Sequence, residues 1–156
     1  MHGAWTITAF VVLLVLGIAA VQGLVWIPII VWLRRKRRAA GAALATAIES
    51  ETVVRPPEKG VYRGATAPGY PVVNNNGLIA LTTRRLVFTT VTGKMIEILS
   101  SEITGVREAK VFRAAVRGGR THLIIQTRSG EIGFYVPNVA DWINTIRTVG
   151  SGHGKS

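Results

Sequence analysis

Thirty consecutive residues, Ala4 to Leu33, carry no charged side chain, and five basic residues follow them directly. The hydrocarbon core of a bilayer is about 30 Å thick, and about 20 apolar helical residues cross it. Residues 4–33 are therefore predicted to form a transmembrane helix. Two placements remain open: the span reaches from Trp5 to Trp32 with a kink at Pro28, or it ends near Ile27 and the rest is interfacial.

The basic run at residues 34–38 predicts the orientation of this helix. Short basic flanks stay in the cytoplasm, so the N-terminus is expected outside and the rest of the chain inside. A cleavable signal peptide would instead carry basic residues before a shorter apolar run. The chain is thus predicted to be a single-pass protein of the cell membrane, with a flank that also attracts anionic lipid. The flank consists of Arg34, Arg35, Lys36, Arg37 and Arg38.

The part of the chain after this flank, residues 39–156, is long enough for one small domain. It holds the remaining 14 of the 19 Lys and Arg residues, against all 8 Asp and Glu. This scattered excess near a bilayer favours anionic lipid over nucleic acid as a partner. The chain has no cysteine, which excludes disulfides and thiol chemistry and agrees with a reducing compartment. Its Ala, Val, Gly and Arg content is typical of GC-rich bacterial genomes.

Residues 34–57 are predicted to connect the anchor to a domain at 58–149. The alanine-rich segment Ala39–Ile48 favours helix, so the anchor is expected to continue as a short stalk that stops near Glu51. Pro56 and Pro57 lack backbone donors and favour an extended linker. The Gly- and Ser-rich tail, residues 150–156, is predicted to be disordered.

From Gly60 onward, short runs rich in Val, Ile, Leu and Phe alternate with turn residues, a pattern typical of antiparallel sheet. Alternation within the runs gives each strand one apolar face, so the sheet must close or be covered. A mainly-β domain of seven strands in a barrel or sandwich is therefore predicted. The strands are Val61–Ala67, Leu78–Thr82, Arg85–Thr90, Met95–Leu99, Thr104–Phe112, His122–Thr127 and Glu131–Val136.

The last predicted element is an amphipathic helix that caps the sheet. Asn138 is its expected N-cap, and Gly150 lies past its expected end. Trp142 lies in its apolar stripe, so we expect this side chain to fill the core rather than to stack on a ligand. The stripe consists of Val139, Trp142, Ile143, Ile146 and Val149.

The segment from Gly77 to Phe88, GLIALTTRRLVF, followed by further short strands and one helix, resembles the pleckstrin-homology-like superfold, especially its bacterial and GRAM-like branches. The resemblance covers about residues 58–149. It implies a β-barrel with a capping helix and a role in binding lipid, peptide or protein. Family members that hold phosphoinositides tend to carry basic residues in the first hairpin. Residues 67–76 are neutral here, so specific phosphoinositide binding is not expected.

A second basic group flanks the predicted turn at Gly118 and Gly119. Arginines opposed across a hairpin would create a positive potential that anionic head groups could neutralise. Alternatively, basic residues on an exposed edge only keep that edge soluble. This group is the candidate surface for anionic lipid or a partner. It consists of Arg107, Lys110, Arg113, Arg117 and Arg120.

The sequence shows none of the converging groups that catalysis requires. The only aspartate, Asp141, sits in a predicted helix cap, and His122 has no second ligand at metal-binding spacing. The segment 117–120 lacks the lysine and hydroxyl of a phosphate-binding loop. The chain is therefore predicted not to be an enzyme and to hold no metal or cofactor.

These features together predict an adaptor or scaffold at the cytoplasmic face of the membrane, whose partner is another membrane or cytoplasmic protein. The partner would add a strand near Lys110–Arg120 or bind beside the terminal helix. One alternative is a lipid-sensing module in which both basic groups bind the same anionic bilayer. A further alternative is an accessory subunit of a transport or export assembly. One helix alone cannot form a polar pathway, so this role would require oligomers or partners.

Overall fold

The computed structural model of this chain describes residues 3–113 and 121–152. They divide into two compact units, of which the first ends at Lys36 and the second begins at Arg37. Helix α1 (Gly3–Ile48) is continuous through Pro28. From Phe10 onward it is long and apolar enough to cross a membrane. The large apolar side chains from Phe10 to Leu33 are exposed, as lipid-facing residues would be.

The second unit contains a seven-stranded antiparallel sheet and a C-terminal helix, which confirms the predicted elements. The strand order is β4-β3-β2-β1-β7-β6-β5. The strands are β1 (Val53–Ala65), β2 (Asn75–Thr82), β3 (Arg85–Thr90), β4 (Met95–Leu99), β5 (Ile103–Ala109), β6 (His122–Thr127) and β7 (Gly130–Tyr135), and α2 spans Val139–Gly152.

The predicted closure into a barrel is wrong, because β4 and β5 are the two edges of the sheet and do not pair with each other. A short 3-10 turn, Ser100–Glu102, connects them. Helix α2 contacts β5, β6 and this turn. The apolar interior is therefore covered on this side by helix packing, where a barrel would have inter-strand hydrogen bonds.

Strand β1 begins earlier than predicted and links the two halves of the sheet. Its N-terminal part pairs with β2, and only Val61–Ala65 pairs with β7. The predicted linker is wrong, since Pro56 and Pro57 lie inside this strand. They fall where the pairing register shifts between Arg55 and Glu58. A bulge leaves residues unpaired, so the missing proline donors break no ladder bond there.

Three other predicted boundaries also differ from the structure. Strand β5 ends at Ala109 rather than Phe112, and Phe112 instead packs over Gly133, where a Cβ would lie 2.4 Å from its ring. Strand β1 ends at Ala65 rather than Ala67. Helix α2 continues to Gly152, so residues 150–152 are helical and not part of a disordered tail. The rest of that tail, residues 153–156, lies outside the described residues.

One apolar core joins both halves of the sheet to helix α2. Tyr62, Phe88 and Phe134 lie at its centre, with ring centroids 5.5–5.9 Å apart. Trp142 is fully buried in the same core, as predicted. Asn138 caps helix α2, since its side-chain oxygen accepts a hydrogen bond from the N–H of Asp141 at 3.3 Å. Every strand contributes to this core, so the sheet bends around it.

A second, smaller core lies on the other face of the sheet. The predicted stalk is helical and ends at Ile48, close to the expected stop near Glu51. It does not stand free, however: Leu44 and Ile48 are buried against Ala80 and Val87. The i, i+4 spacing of these helix residues places both side chains on one face. The end of helix α1 is thus a layer of the folded domain.

Candidate functional site at the helix–sheet junction

The C-terminal end of helix α1 is held by Arg85, the first residue of β3. Its Nη2 donates a 3.0 Å hydrogen bond to the carbonyl of Ala47 and lies 2.6 Å from Oε1 of Glu51. Its Nη1 lies 2.7 Å from Oε2 of Glu97. The last carbonyls of a helix have no intrahelical partner, and a cation is favourable there. Arg85 therefore joins the helix end to the sheet.

Thr82 completes this junction cluster, which we define as Ala47, Glu51, Thr82, Arg85 and Glu97. The Thr82 hydroxyl donates a 2.6 Å hydrogen bond to Oε2 of Glu51. It also accepts the backbone N–H of Arg85 at 3.1 Å. Within the LTTRRL turn (residues 81–86), the Thr82 hydroxyl therefore satisfies a local backbone group. The hydrogen bond from Thr82 to Glu51 also connects this turn to the residues that follow helix α1.

The carboxylate of Glu51 is charged and well ligated. Its side chain is only 6% exposed. The hydrogen bond from Thr82, followed by the hydrogen bond and charge of Arg85, lowers its pKa below the ordinary value of 4.5 despite burial. Hydrogen bonds and a nearby cation both favour the charged form of a carboxyl group. The cluster thus holds its ion pair throughout the neutral range.

This pKa shift predicts a pH-dependent stability. A carboxyl group whose pKa is lowered by folding contributes stability above its unfolded value of 4.5, and this is lost as pH falls through the folded pKa. We expect Glu51→Gln to reduce the free energy of unfolding at pH 7, and the difference from wild type to shrink below about pH 4.5. Urea unfolding of the full chain in detergent between pH 7 and 3 measures this. The control is Glu49→Gln, at an exposed position; a Glu51→Gln difference that is constant with pH would contradict the assignment.

A cavity of about 500 Å³ lies between residues 37–40 of helix α1 and the sheet. We call it the cationic cavity. Its volume falls within the range of small-molecule sites. Arg37 and Lys59 bring two positive charges to a lining that is otherwise largely apolar. The lining of the cationic cavity includes Arg37, Ala40, Lys59, Gly77, Leu78 and Val91.

Glycine is required at position 77 in the wall of this cavity. A Cβ there would lie 2.1 Å from the carbonyl oxygen of Thr89 and 2.7 Å from the ring of Phe88. Both contacts are with residues of β3, so glycine is required here by the close approach of β2 to β3. The sequence analysis missed the cavity because Arg37 and Lys59 belong to different elements.

The predicted basic flank is solvent-exposed along helix α1. The ammonium group of Lys36 lies 5.6 Å from the ring centroid of Trp32, a cation–π contact suited to an interfacial tryptophan. Arg37 additionally lines the cationic cavity. Arg34, Arg35 and Arg38 are exposed and remain predicted membrane-surface residues.

The second basic group is only partly described, and its described members have separate partners. Arg107 forms a two-pronged ion pair with Glu131, with N–O distances of 3.1 and 2.9 Å. Arg113 donates a 2.9 Å hydrogen bond to the carbonyl of Val72, and Lys110 is exposed. Arg117 and Arg120 lie outside the described residues. The three described residues do not share a ligand cradle, and the surface remains a prediction.

Among the described residues, no group of three or more His, Asp or Glu side chains is placed to bind a metal ion. His122 is fully buried, with Nδ1 3.2 Å from the carbonyl oxygen of Ala109 and its ring against the edge of Tyr135. These contacts indicate a structural role.

No protein-family model matches this chain, and no curated protein sequence matches it.

Proposed function

We propose that this protein is a single-pass, membrane-anchored interaction module that presents a pleckstrin-homology-like domain at the cytoplasmic face. The observation that carries the proposal is that Leu44 and Ile48, at the end of the apolar helix, are buried in the domain. A domain built onto its own anchor stays at the bilayer without recruitment by lipid. Such a protein acts by what it binds there, as an adaptor or scaffold.

Three features support the pleckstrin-homology-like assignment. The sheet has seven antiparallel strands, and its long first strand lies at the centre of the strand order and pairs with both β2 and β7. A single C-terminal helix inserts Trp142 into a core shared by all strands. The LTTRRL turn connects β2 and β3, where the resemblance expects it. This resemblance implies a role in binding lipid, peptide or protein.

The edges of the sheet give this module its binding capacity. Within the described residues, β4 pairs only with β3, and β5 pairs only with β6. An edge strand presents unpaired N–H and C=O groups that accept a strand from another chain. We assign partner binding to the β5 edge, which leads into the predicted basic surface at Lys110.

Photo-crosslinking in intact membranes tests this assignment. A benzophenone amino acid replaces Thr104, an exposed residue of β5, and in a matched variant it replaces Asn144, an exposed residue of α2. We expect a discrete protein adduct from position 104 that is absent from position 144. Identical adducts from both positions, or none from position 104, would remove the support for a partner at this edge.

The absence of cysteine makes the predicted topology directly measurable. We expect His2→Cys to react with a membrane-impermeant maleimide in intact cells, and Asn144→Cys to react only after the membrane is opened. The reverse pattern would place the domain outside. Equal labelling of Asn144→Cys in intact and opened cells would also contradict the cytoplasmic assignment.

A further inference from the structure

We propose that the cationic cavity binds the head group of one anionic phospholipid drawn from the surrounding bilayer. The proposal rests on the proposed membrane anchoring and adds a ligand and a site to it. The site lies apart from the β5 edge, where we place the protein partner. It also differs from the basic group at Arg107–Arg120, the predicted candidate surface for anionic lipid or a partner.

The charge of the cavity identifies an anion as its ligand. Arg37 comes from helix α1 and Lys59 from β1, and both line the same space. No ion pair within the described residues uses either side chain. A cavity lining with two cations and no carboxylate favours a phosphate group, to which arginine can donate two hydrogen bonds at once.

The apolar part of the cavity separates a lipid from free phosphate. Ala40, Leu78 and Val91 supply the hydrocarbon wall of the cavity. A small inorganic anion would gain nothing from this wall, whereas the glycerol and proximal acyl carbons of a phospholipid would bury apolar surface against it. The combination of two cations and an apolar wall therefore matches an amphiphile.

The position of Arg37 in the sequence fits a ligand supplied by the membrane. Arg37 is the fourth residue after Leu33, the last residue of the apolar segment. Basic residues just beyond a membrane span lie at the level of the lipid head groups. A lipid can therefore enter from the bilayer without crossing bulk water.

The experiment uses the full chain in nanodiscs of phosphatidylcholine with phosphatidylglycerol, followed by detergent release and native mass spectrometry. We expect wild type to retain one phosphatidylglycerol in preference to phosphatidylcholine. The double variant Arg37→Gln/Lys59→Gln should lose at least about tenfold of this retention, because each removed partner made a charge-assisted hydrogen bond. Arg84→Gln/Arg147→Gln removes the same charge at two exposed positions outside both the cavity lining and the basic flank, and it should stay within about twofold of wild type.

A second variant tests the shape of the site without a change in charge. Val91 is half-buried in the β3–β4 turn and lines the cavity, so Val91→Trp should fill space and reduce retention while both cations remain. Unchanged far-UV circular dichroism would show that each variant is folded. Equal loss in the two double variants, or displacement of the lipid by millimolar inorganic phosphate, would overturn the proposal.

The two proposals fail in different ways. If the Thr104 adduct and the labelling pattern are as expected but no phospholipid is retained, only the lipid site is wrong. If Asn144→Cys is labelled in intact cells, the cytoplasmic module is wrong whatever the cavity binds.

Discussion

Replacing Trp142 with alanine is expected to lower the free energy of unfolding by about 4 kcal/mol, the range typical of large-to-small changes in a core. Trp142 is fully buried. Its indole N–H donates a hydrogen bond to the carboxylate of Glu58. The guanidinium carbon of Arg55 lies 4.7 Å from the ring centroid, and Arg55 pairs with Glu58 at 3.3 Å. The substitution leaves a cavity and removes the partner of both charged side chains.

Trp142→Phe separates these contributions, because it keeps most of the ring and removes the N–H donor. We expect it to cost about 1–2 kcal/mol, largely from the lost hydrogen bond to a charged group. Urea unfolding of the full chain in detergent, followed by circular dichroism at 222 nm, measures both variants. A loss below about 1 kcal/mol for Trp142→Ala would mean that Trp142 does not fill the core.

Replacing Arg85 with methionine is expected to cost about 3 kcal/mol, near the lower end for removing one partner of a buried ion pair. The change removes the donor to the Ala47 carbonyl and leaves Glu51, whose side chain is 6% exposed, without its cation. Methionine retains much of the aliphatic volume, so the effect reports the lost polar contacts. Arg85 itself is 20% exposed, and water therefore moderates the loss.

The adjacent Arg84 provides a matched control, because it belongs to the same LTTRRL turn and its side chain is exposed. Arg84→Met should change the free energy of unfolding by less than about 0.5 kcal/mol. A comparable loss in both variants would show that the turn needs positive charge in general. The expected contrast would instead assign the stabilisation to the junction cluster.

The sequence predicted the strands and the last helix well because their apolar residues follow regular periods. Ile96 and Ile98 alternate with polar neighbours and enter the core as expected. The apolar stripe of α2 likewise places Trp142 in that core. Apolar periodicity indicates which face of a strand or helix is buried. It therefore predicts correctly those elements that bury a single face.

The sequence failed where a residue's role depends on a distant partner. Pro56 and Pro57 indicate a linker by composition, yet the pairing of Arg55 with Leu81 and Glu58 with Ile79 keeps them in a strand. Leu44 and Ile48 indicate only helix, because the face of β2 and β3 that covers them is not apparent from their own segment. Arg37 and Lys59 line one cavity, although they belong to α1 and β1 and no local pattern connects them. Such contacts depend on tertiary packing and leave no local pattern.

The two prolines in β1 also affect whether another chain can add a strand to this sheet. Within the described residues, the stretch 53–60 of β1 forms strand pairs with β2 alone, since β7 joins only from Val61; like an edge strand, it has no strand partner on its other side. Proline has no N–H to offer an incoming strand, and a bulge disturbs the spacing that such a strand would need. Pro56 and Pro57 therefore disfavour the addition of a strand from another chain along this side of β1.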